Sequence, residues 1–239
     1  MQIKQEPLAY FLDKYGLDFS QISSFRSGQK YSVILLQDGK IGICGNLDGA
    51  VKSELSWHQN LDLQQLDTRI FVNCYFNAKF NNSGADEGED LLKIVDFQQY
   101  KQIVMIGNFH PIVAKFQRRQ IKADIFDLKE DAAYLQPMSK QKTYLQQADC
   151  VILTATTISN GTFMQILKNS NDRCEIFLLG PSTPMHRDML QYRNIKHLFG
   201  TSFARNNQEL LEVIAVGQGP RYFLKFGSKT MLLDKDERK

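Results

Sequence analysis

Cysteine, proline and tryptophan are scarce in this chain, at four, six and one among 239 residues. The cysteines, Cys44, Cys74, Cys150 and Cys174, stand far apart, and at least two fall in or beside apolar runs. Such spacing gives none of the dense frameworks that staple short secreted domains, so free thiols and a reducing, cytoplasmic setting are expected. No apolar run approaches the ~20 residues that cross a bilayer. The opening Met1-Gln-Ile-Lys-Gln-Glu lacks the basic and then apolar regions of a secretory signal, so no membrane partner is expected. Charge of one sign is lacking too. Lys and Arg number 29 against 26 Asp and Glu, and Arg118-Arg119 is the one tight basic pair before the tail, which argues against a nucleic-acid partner.

Several chemical signatures are missing. No Gly-x-Gly-x-x-Gly follows an apolar run and no Gly-x-x-x-x-Gly-Lys-[Ser/Thr] occurs, so nicotinamide cofactors and nucleoside triphosphates lose their usual marks. There is no Gly-x-Ser-x-Gly elbow. Without a His-x-x-x-His or Cys-x-x-Cys pair, a closed structural zinc site is not expected. The four histidines, His58, His110, His186 and His197, are dispersed.

What is present reads as a globular α/β chain with 43% hydrophobic and 23% charged residues. Leu8, Phe11, Leu12 and Tyr15 predict an amphipathic helix over 5–15, closed by Gly16. Tyr31 to Leu36 and Ile41 to Cys44 flank Asp38-Gly39, a hairpin signal. Residues 62–80 read as a helix, and 81–90 as a polar, acidic connector whose Asp86, Glu87, Glu89 or Asp90 could border a site. Beyond it, apolar runs at 103–107, 123–127, 151–154 and 176–180 alternate with expected helices at 111–119, 142–147, 161–169 and 185–193. That alternation implies a mostly parallel, Rossmann-like sheet. A fifth strand at 197–200, a closing helix at 207–216 and a final hairpin within 222–233 complete it. The expected organisation is a smaller α+β domain over 1–90 and a Rossmann-like domain over 91–239.

In an open parallel sheet the loops after the strands share one edge, where ligands bind at a switch point. Four loops qualify: Gly107-Asn-Phe-His-Pro111, Asp127, the hydroxyl-rich Thr154 to Thr162, and Gly180-Pro-Ser-Thr-Pro184. Gly107 permits close backbone approach beside Phe109. Thr154, Thr156, Thr157 and Asn160, with Gly180, Ser182 and Thr183, offer neutral donors and acceptors suited to a small ligand. His110 and Asp127 are the candidates for acid–base work. His110 and His186, with a carboxylate, are the weaker candidates for a metal.

The motifs Thr154-Ala-Thr-Thr-Ile-Ser-Asn-Gly-Thr162, Leu179-Gly-Pro-Ser-Thr-Pro184 and Leu198-Phe-Gly200 resemble the Rossmann-like domain of the putative heavy-metal chelation family. The resemblance implies a preceding domain like the N-terminal domain of enolase and a cleft between the two. It also implies a role in chelating a heavy or transition metal ion or handling a metal-bound small molecule. Two positions depart from the family pattern: Ala155 stands where a Gly is common, and Asp127 where a Glu is usual. The expected function is therefore binding of a small ligand between the domains. The alternative is a transferase or lyase acting on a phosphate- or nucleotide-bearing molecule, with His110 or Asp127 as its acid or base. A homodimer is the base-rate expectation.

Overall fold

The computed structural model describes residues 3–47, 51, 61–80, 86–129 and 132–234, with residues 86 and 87 described by backbone alone. His58 and the first half of the acidic connector lie outside the described residues.

The first helix, α1 (Pro7–Tyr15), takes its N-cap from Glu6 and ends at Gly16, as the apolar spacing predicts. Three antiparallel strands follow, β1 (Ile22–Ser27), β2 (Tyr31–Leu36) and β3 (Ile41–Gly45), in the spatial order β1-β2-β3. The Asp38-Gly39 turn joins β2 and β3, with Gly39 at φ +85°. Helix α2 (Leu66–Phe80) lies across one face of this sheet and is buried nearly all round. At Gly42 an added β-carbon would stand 2.2 Å from the backbone of both Cys74 and Ala78, so α2 rests directly on β3 because no side chain intervenes.

The larger sheet carries β4 (Asp86–Glu87), β5 (Ile103–Ile106), β6 (Asp124–Phe126), β7 (Cys150–Thr154), β8 (Glu175–Leu179), β9 (Ile195–Phe203) and β10 (Gly227–Leu233). Its order is β4-β10-β9-β8-β7-β5-β6. Strands β5 to β9 are parallel, while β10 runs antiparallel to β9 and to β4. Side chains alternate across it, as a strand's two-residue period requires. Val104, Ile106, Val151 and Leu153 face the core shared with α1 and α2. Ile103, Met105, Cys150 and Ile152 face the other core, under α3 (Leu91–Ile94) and α4 (His110–Arg118).

The remaining helices are α5 (Gln141–Gln147), α6 (Thr156–Ser159), α7 (Phe163–Asn169), α8 (Gln208–Ala215) and α9 (Pro220–Phe223). Helix α8 packs on the outer face of the small sheet, where Leu210, Leu211 and Ile214 meet Val33, Leu35, Ile41 and Ile43.

Two expected elements differ. The helix expected at 185–193 is a short 3-10 turn at Arg187–Gln191, capped by the His186 side chain. The final hairpin is absent: Pro220 opens α9, and β10 alone pairs with β9 and β4. In the acidic connector, ion pairs and a cap engage Glu89 and Asp90. Asp90 caps α3 and receives Lys115 and Lys229, while Glu89 pairs with Lys93 at 2.8 Å. The four cysteines are free and buried, and no helix among the described residues is long and apolar enough to cross a membrane.

Candidate functional site

Counting the parallel strands from β5, their spatial order is 2-1-3-4-5, so the winding reverses between β5 and β7. The chain leaves these neighbours towards opposite faces, the topology at which open α/β sheets form a binding crevice. Gly107, just after β5, takes φ +98°. A β-carbon there would lie 2.9 Å from the Cβ of Thr154, the last residue of β7. Thr154 and Thr156 pair their hydroxyls at 2.9 Å. The third wall comes from the small sheet: a β-carbon on Gly45, at the end of β3, would stand 3.1 Å from the methyl of Thr156. Nothing in the sequence marked Gly45, since its neighbour Thr156 is more than a hundred residues away.

Asp127, after β6, ties this edge together. Its Oδ2 accepts the Asn108 backbone N–H at 2.8 Å and its Oδ1 accepts that of Lys129 at 3.0 Å. Asn108 and His110 in turn meet the hydroxyl of Tyr134 at 3.0 and 3.2 Å. His110 opens α4 and is exposed, whereas Phe109 packs partly into the core beneath.

The other candidates are occupied with internal bonds. Thr157 is buried and donates to the Thr154 carbonyl at 2.7 Å. Asn160 accepts from both the backbone N–H and the hydroxyl of Thr162, an ordinary capping turn. Thr183 is buried and donates to the Gly180 and Phe199 carbonyls, while no atom stands within 4 Å of an added β-carbon at Gly180. Ser182 is buried and accepts the Gly45 N–H at 3.1 Å.

Ser182 belongs to a seam between the small sheet and the large one. Asn73 of α2 lies 3.3 Å from the Cys44 sulfur, 3.2 Å from the Ser159 hydroxyl and 3.2 Å from the Ser182 carbonyl, donating through Nδ2. Ser159 and Cys44 meet at 2.9 Å. Burial pushes the Cys44 thiol up, but the hydrogen bonds from Cys74, Ser159, Asn73 and Ser182 outweigh it and leave its pKa lowered. One turn along α2, Asn77 donates to the Pro181 and Thr183 carbonyls and accepts the Ile43 N–H. Arg69 adds a further tie, donating to the Ser159 and Ile158 carbonyls and to Glu6. Buried polar bonds thus tie α2 and β3 to the segments that follow β7 and β8.

His186 does not join His110. Its Nε2 faces the Tyr15 hydroxyl at 3.4 Å, its Nδ1 accepts the Asp188 N–H, and its ring packs on Phe80 at 4.4 Å. Asp188 gathers Lys14, Tyr10 and Tyr15, so this cluster pins α1 against the turn after β8. Burial lowers the His186 pKa more than Asp188 raises it. Among the described residues no three of His, Cys, Asp and Glu gather as a metal-ligand set. A cavity of about 390 Å³ bounded by Glu175, Asn194, Lys196 and Asp234 lies at the amino edge of β8 and β9, away from all four loops.

Comparison with known proteins places this geometry among relatives. A family model described as putative heavy-metal chelation matches residues 90–233. An uncharacterized protein of Methanocaldococcus jannaschii is 26% identical over 162 residues, which is 66% of this chain and 56% of that protein. The match therefore spans little more than half of that relative's length. A solved structure of unknown function from Pyrococcus horikoshii superposes with a TM-score of 0.72 at 18% identity, over 89% of this chain and 93% of its own. One from Desulfitobacterium hafniense gives 0.73 at 15% identity, over 95% and 96%. Both are described as proteins of that same family, and at these identities the likeness is one of fold.

Proposed function

The chain belongs to the DUF364 family, described as putative heavy-metal chelation, and from that premise we propose that it binds a small polar molecule at the switch point between β5 and β7. The observation that carries this reading is the close meeting of half-buried Gly107, at the end of β5, with the Thr154–Thr156 hydroxyl pair at the end of β7. Among the described residues, the strand ends and loops after β3, β5, β6 and β7 bring Gly45, Gly107, Asn108, His110, Tyr134, Thr154 and Thr156 to this edge, and none of these seven is a lysine or arginine. Neutral hydroxyls and amides suit a ligand recognised through hydroxyl, amide or carboxyl groups better than a polyphosphate, which calls for cations or a glycine-rich nest.

The described residues do not fit a metal held by the protein alone. They offer no three-donor group, and the thiols that a soft metal would prefer are sealed in the core. A metal belongs to this reading only as cargo, coordinated by the small molecule that carries it.

Native mass spectrometry of protein purified without chelators tests the proposal. The expected result is a mass excess that is released on denaturation and is missing from Thr156→Val, which keeps the shape but removes the hydroxyl. A bare polypeptide mass, or an excess untouched by the substitution, would overturn it.

A further inference from the structure

The Tyr134 hydroxyl stands 3.0 Å from Asn108 Oδ1 and 3.2 Å from His110 Nδ1, joining two loops that the sequence leaves 24 residues apart. A phenol has a single proton to share. The amide oxygen of Asn108 can only accept, so the proton belongs on that bond. The phenolic oxygen is then left to accept, and the group on the imidazole that can supply a hydrogen is Nδ1–H. The loop that carries Asn108 is anchored by its backbone N–H, which donates to Asp127 Oδ2 at 2.8 Å.

We propose that Tyr134 and Asn108 hold neutral His110 in its Nδ1–H tautomer, so that the Nε2 lone pair is the proton acceptor of the crevice. Which ring nitrogen is protonated is set by the partner of the other nitrogen, and here the partner is Tyr134. An unconstrained imidazole in water favours the Nε2–H form, which would leave the lone pair on Nδ1, beside its own backbone. His110 is exposed at the first position of α4, and Nε2 is the nitrogen farther from that backbone.

The chemistry balances simply. A ligand O–H or N–H gives its proton to Nε2, the bonding electrons stay on the ligand heteroatom, and the ring becomes an imidazolium. Its Nδ1–H remains on the Tyr134 oxygen, which steadies the new positive charge. The ligand class is thus a small molecule that carries an ionisable hydroxyl or N–H. Tyr134 is a positioning residue, because it acts through His110.

This role rests on the crevice being a binding site, but the tautomer does not, and the two are tested separately. Long-range ¹H–¹⁵N spectra of the full chain labelled at histidine, recorded above the imidazole titration, distinguish the tautomers. With four histidines in the sequence, His110→Gln assigns the resonance. The wild-type spectrum should show the Nδ1–H pattern at His110, and Tyr134→Phe should return it to mainly Nε2–H. Asn108→Asp, whose oxygens can only accept when ionised, should keep Nδ1–H. An Nε2–H pattern in the wild type, or one that Tyr134→Phe does not change, would overturn the assignment. Loss of the ligand mass excess with the Nδ1–H pattern intact would instead sink the binding reading alone.

Discussion

Asn77 accepts the backbone N–H of Ile43 at 3.0 Å, so a helix side chain completes the hydrogen bonding of a strand. The same amide donates to two carbonyls of the loop after β8, at 2.8 Å to Thr183 and 3.2 Å to Pro181. Both ends of Asn77 are used. Asn73, by contrast, has an Oδ1 with no partner.

That difference orders two substitutions. Asn77→Ala strands a buried N–H and two carbonyls, each costing about 1–3 kcal/mol if water does not reach it. Asn73→Ala removes donors but also removes an already unsatisfied acceptor, so it should cost about 1–2 kcal/mol. Urea unfolding should rank Asn77→Ala as clearly the less stable. The reverse order would mean that the Asn73 amide is turned over and the seam is wired differently.

Gly107→Ala should be disproportionately harmful for a one-carbon change. It combines a left-handed φ of +98° with a 2.9 Å approach to Thr154. Backbone strain of this kind costs about 1–3 kcal/mol, and relief would push the loops apart. The expected result is a lowered Tm together with loss of the ligand mass excess. A wild-type Tm with binding retained would show that the loops do not meet at this point.

Asp90 sets an acid-sensitive tether between α3, α4 and β10. Burial opposes ionisation, yet Lys115, the Leu92 N–H and Lys229 hold its pKa down at about 2. A carboxyl depressed in the folded state stabilises above its unfolded pKa and loses that contribution as pH falls through the folded one. Asp90→Asn keeps the cap and removes the charge. It should cost up to about 1 kcal/mol at pH 7, given how exposed the two lysines are. The deficit should shrink to nothing between about pH 4 and pH 2, in urea titrations along a pH series. A deficit that is constant with pH would rule out the ion pairs as its source.

What could be read from the sequence follows from how local each signal is. The β2–β3 hairpin and the parallel strands were legible because an apolar run and its turn carry them. Strand β1 was not, since it is an edge whose one buried side chain is Phe25. Strand β10 looked like half of a hairpin, but its partners are β9 and β4, not an adjacent strand. The edge loops were legible, and their place at one end of the parallel strands follows from the topology. Which hydroxyls stay partly open was not, because Thr157, Ser182 and Thr183 are told from Thr154 and Thr156 by what surrounds them. Asn73 and Asn77 stood in plain view on a helix otherwise rich in apolar residues. Their partners lie across the fold, so nothing nearby announced their role.

The cover that α8 provides for Val33, Leu35, Ile41 and Ile43 has a consequence for how the chain is made. Roughly 165 residues separate those strands from the helix that shields them, which at ribosomal speeds means about 10 s or more of synthesis. During that interval a newly emerged sheet carries an uncovered apolar face. The small sheet therefore completes its packing only late in synthesis, when α8 has been made.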